Sequence, residues 1–208
     1  MTAEAPPVLL LAGGLGTRMG GGDKCLRLLG GATLLEHVLA RVAPQTGCVL
    51  LNANGDPARF ARFGLMVLPD TVPGQLGPLA GILAGMEFLA ARAPEVADLV
   101  SVPTDTPFLP LDLVRRLLEA RAAAGAEVAS AASLGRAHPV VGLWPVRLAP
   151  MLRHALVAEG ERGVARFAAR FPGAEVTFPA VPLDPFLNAN SPEDLARAEA
   201  AWRANPPG

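Results

Sequence analysis

The chain has 208 residues, balances 18 Lys+Arg against 19 Asp+Glu for a net charge of −1, and is 51% hydrophobic. That length suits one core, at roughly 100–200 residues per domain, and no run approaches the ~20 apolar residues that span a bilayer. Near-neutral charge without an arginine stripe among aromatics gives no case for a nucleic acid partner, and Cys25 and Cys48, outside any CxxC pair, exclude a disulfide framework or structural zinc. The first residues, Met1-Thr-Ala-Glu-Ala-Pro-Pro7, have no basic region and no cleavage-site pattern, so the expectation is a soluble, cytoplasmic protein without a membrane partner.

Pro7-Val-Leu-Leu-Leu11 reads as a buried strand. It feeds a loop, Ala12 to Lys24, whose glycines Gly13, Gly14, Gly16, Gly20, Gly21 and Gly22 let the backbone approach a ligand and point peptide N–H groups at phosphate oxygens. Arg18 and Lys24 add full positive charges. Two better-known loops do not match. A P-loop needs Gly-Lys before Ser or Thr, but Lys24 stands between Asp23 and Cys25; a dinucleotide fingerprint from Gly14 and Gly16 needs glycine where Met19 stands. A plain flexible linker would not follow a buried strand directly. Cys25, next to Lys24, reads as small filler rather than a reactive thiolate.

Thr33-Leu-Leu-Glu36 predicts a helix with Thr33 as N-cap and Glu36 completing a capping box, and Leu34, Leu35, Val38, Leu39 and Val42 share one face. Pro44 ends it. Cys48–Asn52 and Leu65–Leu68 read as buried strands, so Asn52 and Asp70 stand at carboxyl ends, where an open α/β sheet forms its ligand crevice. Asn52 contacts a ribose or base there, or forms a turn; position alone leaves both open. Leu79, Ile82, Leu83, Met86 and Leu89 mark a core-facing helix. Its small residues Ala80, Gly81, Ala84 and Gly85 point to close approach by a backbone or nucleotide, or to tight helix packing. Strand Asp98–Val102 delivers Asp105 into a proline-rich turn, and Leu111, Val114, Leu117 and Leu118 mark the next helix. A carboxylate there caps a turn or holds a metal; the metal role is favoured, because phosphoryl chemistry brings Mg²⁺ held by one or two carboxylates.

Val128–Ala132 and a stretch ending at Pro145 read as strands, with weaker helical patterns at Leu148–Leu156 and Val164–Ala169. His138, before Pro139, lies extended and reads as structural. Arg153, Arg162 and Arg166 read as a solvated face rather than a site for an anionic substrate. Ser191 caps a last helix with Pro192 at its first position and Asp194 three residues on, and Asn188 and Asn190 are held at its rigid entry. Strands and helices alternate through residue 130, which predicts one three-layer α/β domain over 1–208 with a mostly parallel sheet.

The pieces in order, Leu-Ala-Gly-Gly at 11–14, Arg-Met-Gly-Gly at 18–21, Asp23-Lys24, Leu-Leu-Glu-His at 34–37, Asn-Ala-Asn at 52–54, Gly-Pro-Leu-Ala-Gly at 77–81, Asp-Thr-Pro-Phe-Leu-Pro at 105–110, His-Pro-Val at 138–140, Leu-Trp at 143–144 and Asn-Ala-Asn-Ser-Pro-Glu-Asp-Leu at 188–195, resemble the molybdenum cofactor guanylyltransferase family over nearly the whole chain. Each piece is weak; their joint order is specific. The resemblance implies a Rossmann-like nucleotidyltransferase domain that transfers GMP from GTP to the terminal phosphate of molybdopterin and releases pyrophosphate. Residues 6–130 would serve the nucleotide and 131–204 the pterin. It implies that Leu11, Ala12 and Gly13 bind GTP through the backbone, Lys24 meets its phosphates, Asn52 and Asp70 contact the nucleoside, Asp105 holds Mg²⁺, and Asn188 and Asn190 face the pterin; from the loop itself, Gly14 is expected to join the GTP contacts and Arg18 to act with Lys24 on the β- and γ-phosphates. It also implies transient contact with other cofactor-biosynthesis proteins or molybdoenzyme chaperones. Two departures are local: Ser191 where threonine is common, and Leu187 where a second aromatic is frequent. The nearest rivals are a cytidylyltransferase on the same pterin, which would carry alanine at Gly13, and a sugar-1-phosphate nucleotidyltransferase, which would carry Pro-Lys where Asp23-Lys24 stands. A nucleotide-binding regulator without turnover is a third.

Overall fold

The computed structural model describes residues 5–13, 23–74 and 76–204. Gly14 and Arg18, both assigned to the nucleotide above, lie outside the described residues. In chain order the elements are β1 (Val8–Leu11), a 3-10 turn at Lys24–Leu26, β2 (Leu28–Leu29), β3 (Ala32–Thr33), α1 (Leu34–Val42), β4 (Val49–Asn52), a 3-10 stretch at Pro57–Phe63 and β5 (Met66–Leu68). They continue as α2 (Pro78–Arg92), β6 (Asp98–Pro103), α3 (Leu113–Ala124), β7 (Val128–Ser133), β8 (Arg136–Pro145), α4 (Ala149–Val157), α5 (Val164–Ala168), β9 (Gly173–Thr177) and α6 (Pro192–Ala204).

Seven strands form one sheet in the order β5-β4-β1-β6-β8-β7-β9, and β2 and β3 make a separate hairpin. The pairs β5·β4, β4·β1, β1·β6 and β7·β9 are parallel, whereas β8 runs antiparallel to both β6 and β7. The expected mostly parallel sheet is therefore present. Side chains alternate between faces along each strand. Val8 and Leu10 of β1, Leu51 of β4, and Val100 and Val102 of β6 pack with Leu35 and Val38 of α1 and Leu113 and Leu117 of α3. The opposite set, Leu9, Leu50 and Leu99, packs with Ile82 and Met86 of α2, Leu152 of α4 and Phe167 of α5. Helices thus cover both faces, which is why the parallel strands read as continuous apolar runs. The chain also turns back at β1, whose neighbours β4 and β6 are reached by separate crossovers; such a reversal opens a crevice at the carboxyl ends of the strands.

The capping box at α1 is present: Thr33 Oγ1 accepts from the Glu36 N–H at 3.2 Å, and the Thr33 N–H donates to Glu36 at 2.6 Å. Ser191 and Asp194 close the equivalent pair at α6, at 3.1 Å each way. One helix expectation is corrected. Leu111 is 59% exposed and precedes α3, because the chain is still turning out of Pro110 when it reaches that residue. Strand β9 and the β2–β3 hairpin appear nowhere in the sequence reading.

Candidate active site

Register fixes the floor of the crevice. Leu68 pairs with Asn52, Asn52 with Leu11, and Leu11 with Pro103, so one row crosses the carboxyl ends of β5, β4, β1 and β6. Asp70, Gly13 and Asp105 each lie two residues past their member of that row. The end of β1 is clamped between its neighbours: the Ala12 N–H donates to the Asn52 carbonyl at 2.9 Å, and the Leu11 carbonyl accepts from Thr104 N–H at 3.3 Å and Thr104 Oγ1 at 3.1 Å. A rigid foot is therefore built where the glycine-rich stretch begins.

Over β6 the chain brings three distant stretches together. Lys24 Nζ lies 2.5 Å from Asp105 Oδ2 and also donates to Asn190 Oδ1. The Lys24 and Asp105 side chains are only 14% and 21% exposed, so the pair is partly shielded from water without being sealed off. Backbone holds the same junction: the Ala189 N–H donates to the Asp105 carbonyl at 2.9 Å. Asn188 is half-buried in the same segment.

Over β4 and β5 sits a second polar group. Asn52 is buried, and its Nδ2 donates to the Leu68 carbonyl at 3.1 Å and to Asp70 Oδ1 at 2.9 Å. The other Asp70 oxygen accepts from Asn54 Nδ2 at 2.8 Å, and the Asp70 N–H donates back to Asn54 Oδ1 at 2.8 Å. The carboxylate is thereby held by two amides. Asn54 belongs to the Asn-Ala-Asn triplet, but the sequence reading singled out only its first member.

Arg59 was missed altogether. It rises from the 3-10 stretch, donates to the Asn54 carbonyl and places Nε 2.7 Å from Asp23 Oδ2. That second contact is ionic only, since Nε is buried and makes no hydrogen bond of good angle. It links the residue before Lys24 to the Asn54–Asp70 group. Pro57–Phe63 has no clean helical period, so nothing in the sequence pointed there.

Other candidates stand apart. Arg153 pairs with Glu87 at 2.6 Å and Arg166 with Glu161 at 2.6 Å, while Arg162 donates to the Leu156 carbonyl at 2.8 Å, a solvated and internally paired set as expected. His138 lies extended in β8 with Nε2 2.8 Å from Ser133 Oγ. Burial pushes its pKa down. Cys25 is buried, and burial, with Asp23 adding its charge, pushes the thiol up to about 12. A groove of about 1180 Å³, lined in part by Ala97, Asp98, Gly125, Pro145 and Pro150, lies at the amino end of β6, away from the crevice. Its Asp98 and Arg121 pair at 2.5 Å.

The described helices include none long and apolar enough to cross a membrane. A family model described as the MobA-like NTP transferase domain matches residues 8–174. A molybdenum cofactor guanylyltransferase of Bradyrhizobium sp. (strain ORS 278) is 60% identical over 95% of this chain and 93% of its own length. One from Rhodopseudomonas palustris (strain BisB5) is 56% identical over 94% and 93%. Among solved structures, the molybdopterin-guanine dinucleotide biosynthesis protein A of Archaeoglobus fulgidus has the same fold, with a TM-score of 0.75 at 23% identity over 96% of this chain and 100% of that one. By its sheet, its crevice and these relatives, the chain belongs to the MobA-like NTP transferase family and, within it, to the molybdenum cofactor guanylyltransferases.

Proposed function

We propose that this chain transfers the GMP of GTP to the terminal phosphate of molybdopterin, forming the guanine dinucleotide and releasing pyrophosphate. The observation that carries the reading is the meeting of Lys24, Asp105 and Asn190, a cation, a carboxylate and an amide from three separate stretches, at the carboxyl edge of β6. The names of the relatives support guanylyl over cytidylyl transfer.

In this reading the backbone of Leu11, Ala12, Gly13 and Gly14 cradles GTP, Arg18 and Lys24 meet its β- and γ-phosphates, and the Asn52–Asp70 group faces the nucleoside. Asn188 and Asn190 meet the pterin. The donor set fits magnesium: Asp105 offers one carboxylate at the crevice, no cluster of three or more His, Cys, Asp or Glu residues forms a cage among the described residues, and Mg²⁺ commonly takes one or two carboxylates plus substrate phosphates. When bound on Asp105 it would supply Lewis-acid neutralisation of the reacting phosphates.

The attacking group is a phosphate monoester, already anionic near neutral pH, so the chain needs no strong base. Its task is to bring two anions together. A unit charge at ~4 Å is worth on the order of 4 kcal/mol at an effective dielectric of 20, so each fixed cation matters. Lys24 pairs with Asp105, so the cation that meets the phosphates and the carboxylate that would hold Mg²⁺ stand side by side. Pyrophosphate release with GTP, Mg²⁺ and molybdopterin tests the assignment: Lys24→Ala and Asp105→Asn should each lose about 100-fold or more in turnover. Full Mg²⁺-dependent turnover in Asp105→Asn contradicts it.

A further inference from the structure

We infer that Ser133 and His138 are positioning residues for the second substrate: with Asp184 they form a hydrogen-bonded chain that sets where segment 184–190 presents Asn188 and Asn190 beside Lys24 and Asp105. The inference rests on the reading of Asn188 and Asn190 as pterin contacts.

Topology puts this chain of groups at the crevice edge. Strand β7 runs parallel to β6 across the intervening β8, so its last residue, Ser133, reaches the same edge as Pro103. Ser133 is buried, and its one hydroxyl hydrogen is donated to Asp184 Oδ1 at 2.8 Å. The 2.8 Å contact between Ser133 Oγ and His138 Nε2 therefore closes only with Nε2 protonated and donating. A two-bond relay thus runs from His138 of β8 through Ser133 of β7 to one oxygen of the Asp184 carboxylate.

That oxygen does more than accept from Ser133. It also takes the Phe186 N–H at 3.0 Å, and the Leu187 N–H donates to the Asp184 carbonyl at 3.1 Å, so Asp184 folds the start of the segment into a turn. The Phe186 ring then stands 4.7 Å from the His138 ring and 5.5 Å from that of Phe178. At the far end Ala189 is tied to the Asp105 backbone and Asn190 to Lys24. The segment is consequently strung between the relay and the Lys24–Asp105 pair, with Asn188 in the span. Apolar packing of Phe186 alone would hold the turn loosely in direction. A satisfied polar chain at a buried serine fixes it in one orientation.

The test compares Ser133→Ala, His138→Phe, which keeps a ring against Phe186 but loses the Nε2 hydrogen, and His138→Gln, which keeps an N–H donor near the Nε2 position but loses the ring. For each, KM and kcat for molybdopterin at saturating GTP are measured alongside GTP affinity and the melting temperature, with Asn188→Ala and Asn190→Ala in parallel. Ser133→Ala and His138→Phe should raise the pterin KM about tenfold while GTP affinity stays within about twofold. The double variant should be no worse than either single one, and His138→Gln should recover most of the loss. An unchanged pterin KM in His138→Phe, with the asparagine variants impaired, overturns the relay. Equal losses in GTP affinity and pterin KM also overturn it, because they mark general damage. If Ser133→Ala does not fold, the Phe and Gln pair at His138 decides alone. Unchanged pterin KM in both asparagine variants overturns the underlying assignment instead, and removes the relay's purpose with it.

Discussion

Cys25 follows Lys24 directly, and a thiol beside a cation invites the expectation of reactivity. The fold agrees instead with the filler reading: the side chain is buried, the neighbouring carboxylate of Asp23 adds its repulsion, and the thiol is pushed up to about 12. Only the thiolate attacks. Iodoacetamide at pH 8 should therefore leave Cys25 unmodified in the native protein and alkylate it after unfolding, as read by peptide mass spectrometry; alkylation of native Cys25 contradicts the burial. At this scale the sequence was legible where a residue type sits at a marked place in the chain. Asp105 was chosen at a strand end, Lys24 as the charge closing the glycine-rich loop and Asn190 at the entry of the last helix, and the fold brings all three within contact. Partner identity was not legible. That both Nδ2 hydrogens of Asn52 are spent on Leu68 and Asp70, that Asn54 mirrors it from the other side, and that Arg59 ties Asn54 to Asp23 depend on which strands become neighbours.

Helix α2 shows how an element is fitted to the crevice. A Cβ on Gly81 would collide with Asn52 Oδ1 and come within 2.6 Å of Leu11 Cδ2, while one on Gly85 would meet Leu9 and Leu99 side chains at 2.8 and 2.9 Å. The small residues therefore let the helix lie close to β1, β4 and β6, and at Gly81 that closeness reaches the buried amide. Gly81→Ala should cost about 1–3 kcal/mol of stability through overpacking and weaken GTP binding by disturbing Asn52, both measured by denaturant unfolding with and without nucleotide. Unchanged stability contradicts the contact. Local features such as the capping boxes at Thr33 and Ser191 were readable because donor and acceptor lie three residues apart. Strand β9 was not: it pairs with β7, distant in sequence, and Val176 is the one side chain it buries. Strands β2 and β3, of two residues each, give no period to read.

Across the whole molecule, alternating strands and helices announced a mostly parallel sheet, but not the order in which β1 and β6 become neighbours with β8 antiparallel beside them. That order matters chemically. Because β9 runs parallel to β7 and ends at the carboxyl edge, the last third of the chain returns to the same crevice as the first, and the segment through Asn188 and Asn190 meets the loop residue Lys24. In the proposed function both substrates meet at that one edge, where guanylyl transfer takes place. The most direct measurement is pyrophosphate release with Mg²⁺ and GTP, CTP or ATP, each with and without molybdopterin. GTP should be preferred by about 100-fold or more, with release dependent on the pterin. Equal or greater turnover with CTP, or release from GTP that ignores the pterin, contradicts it.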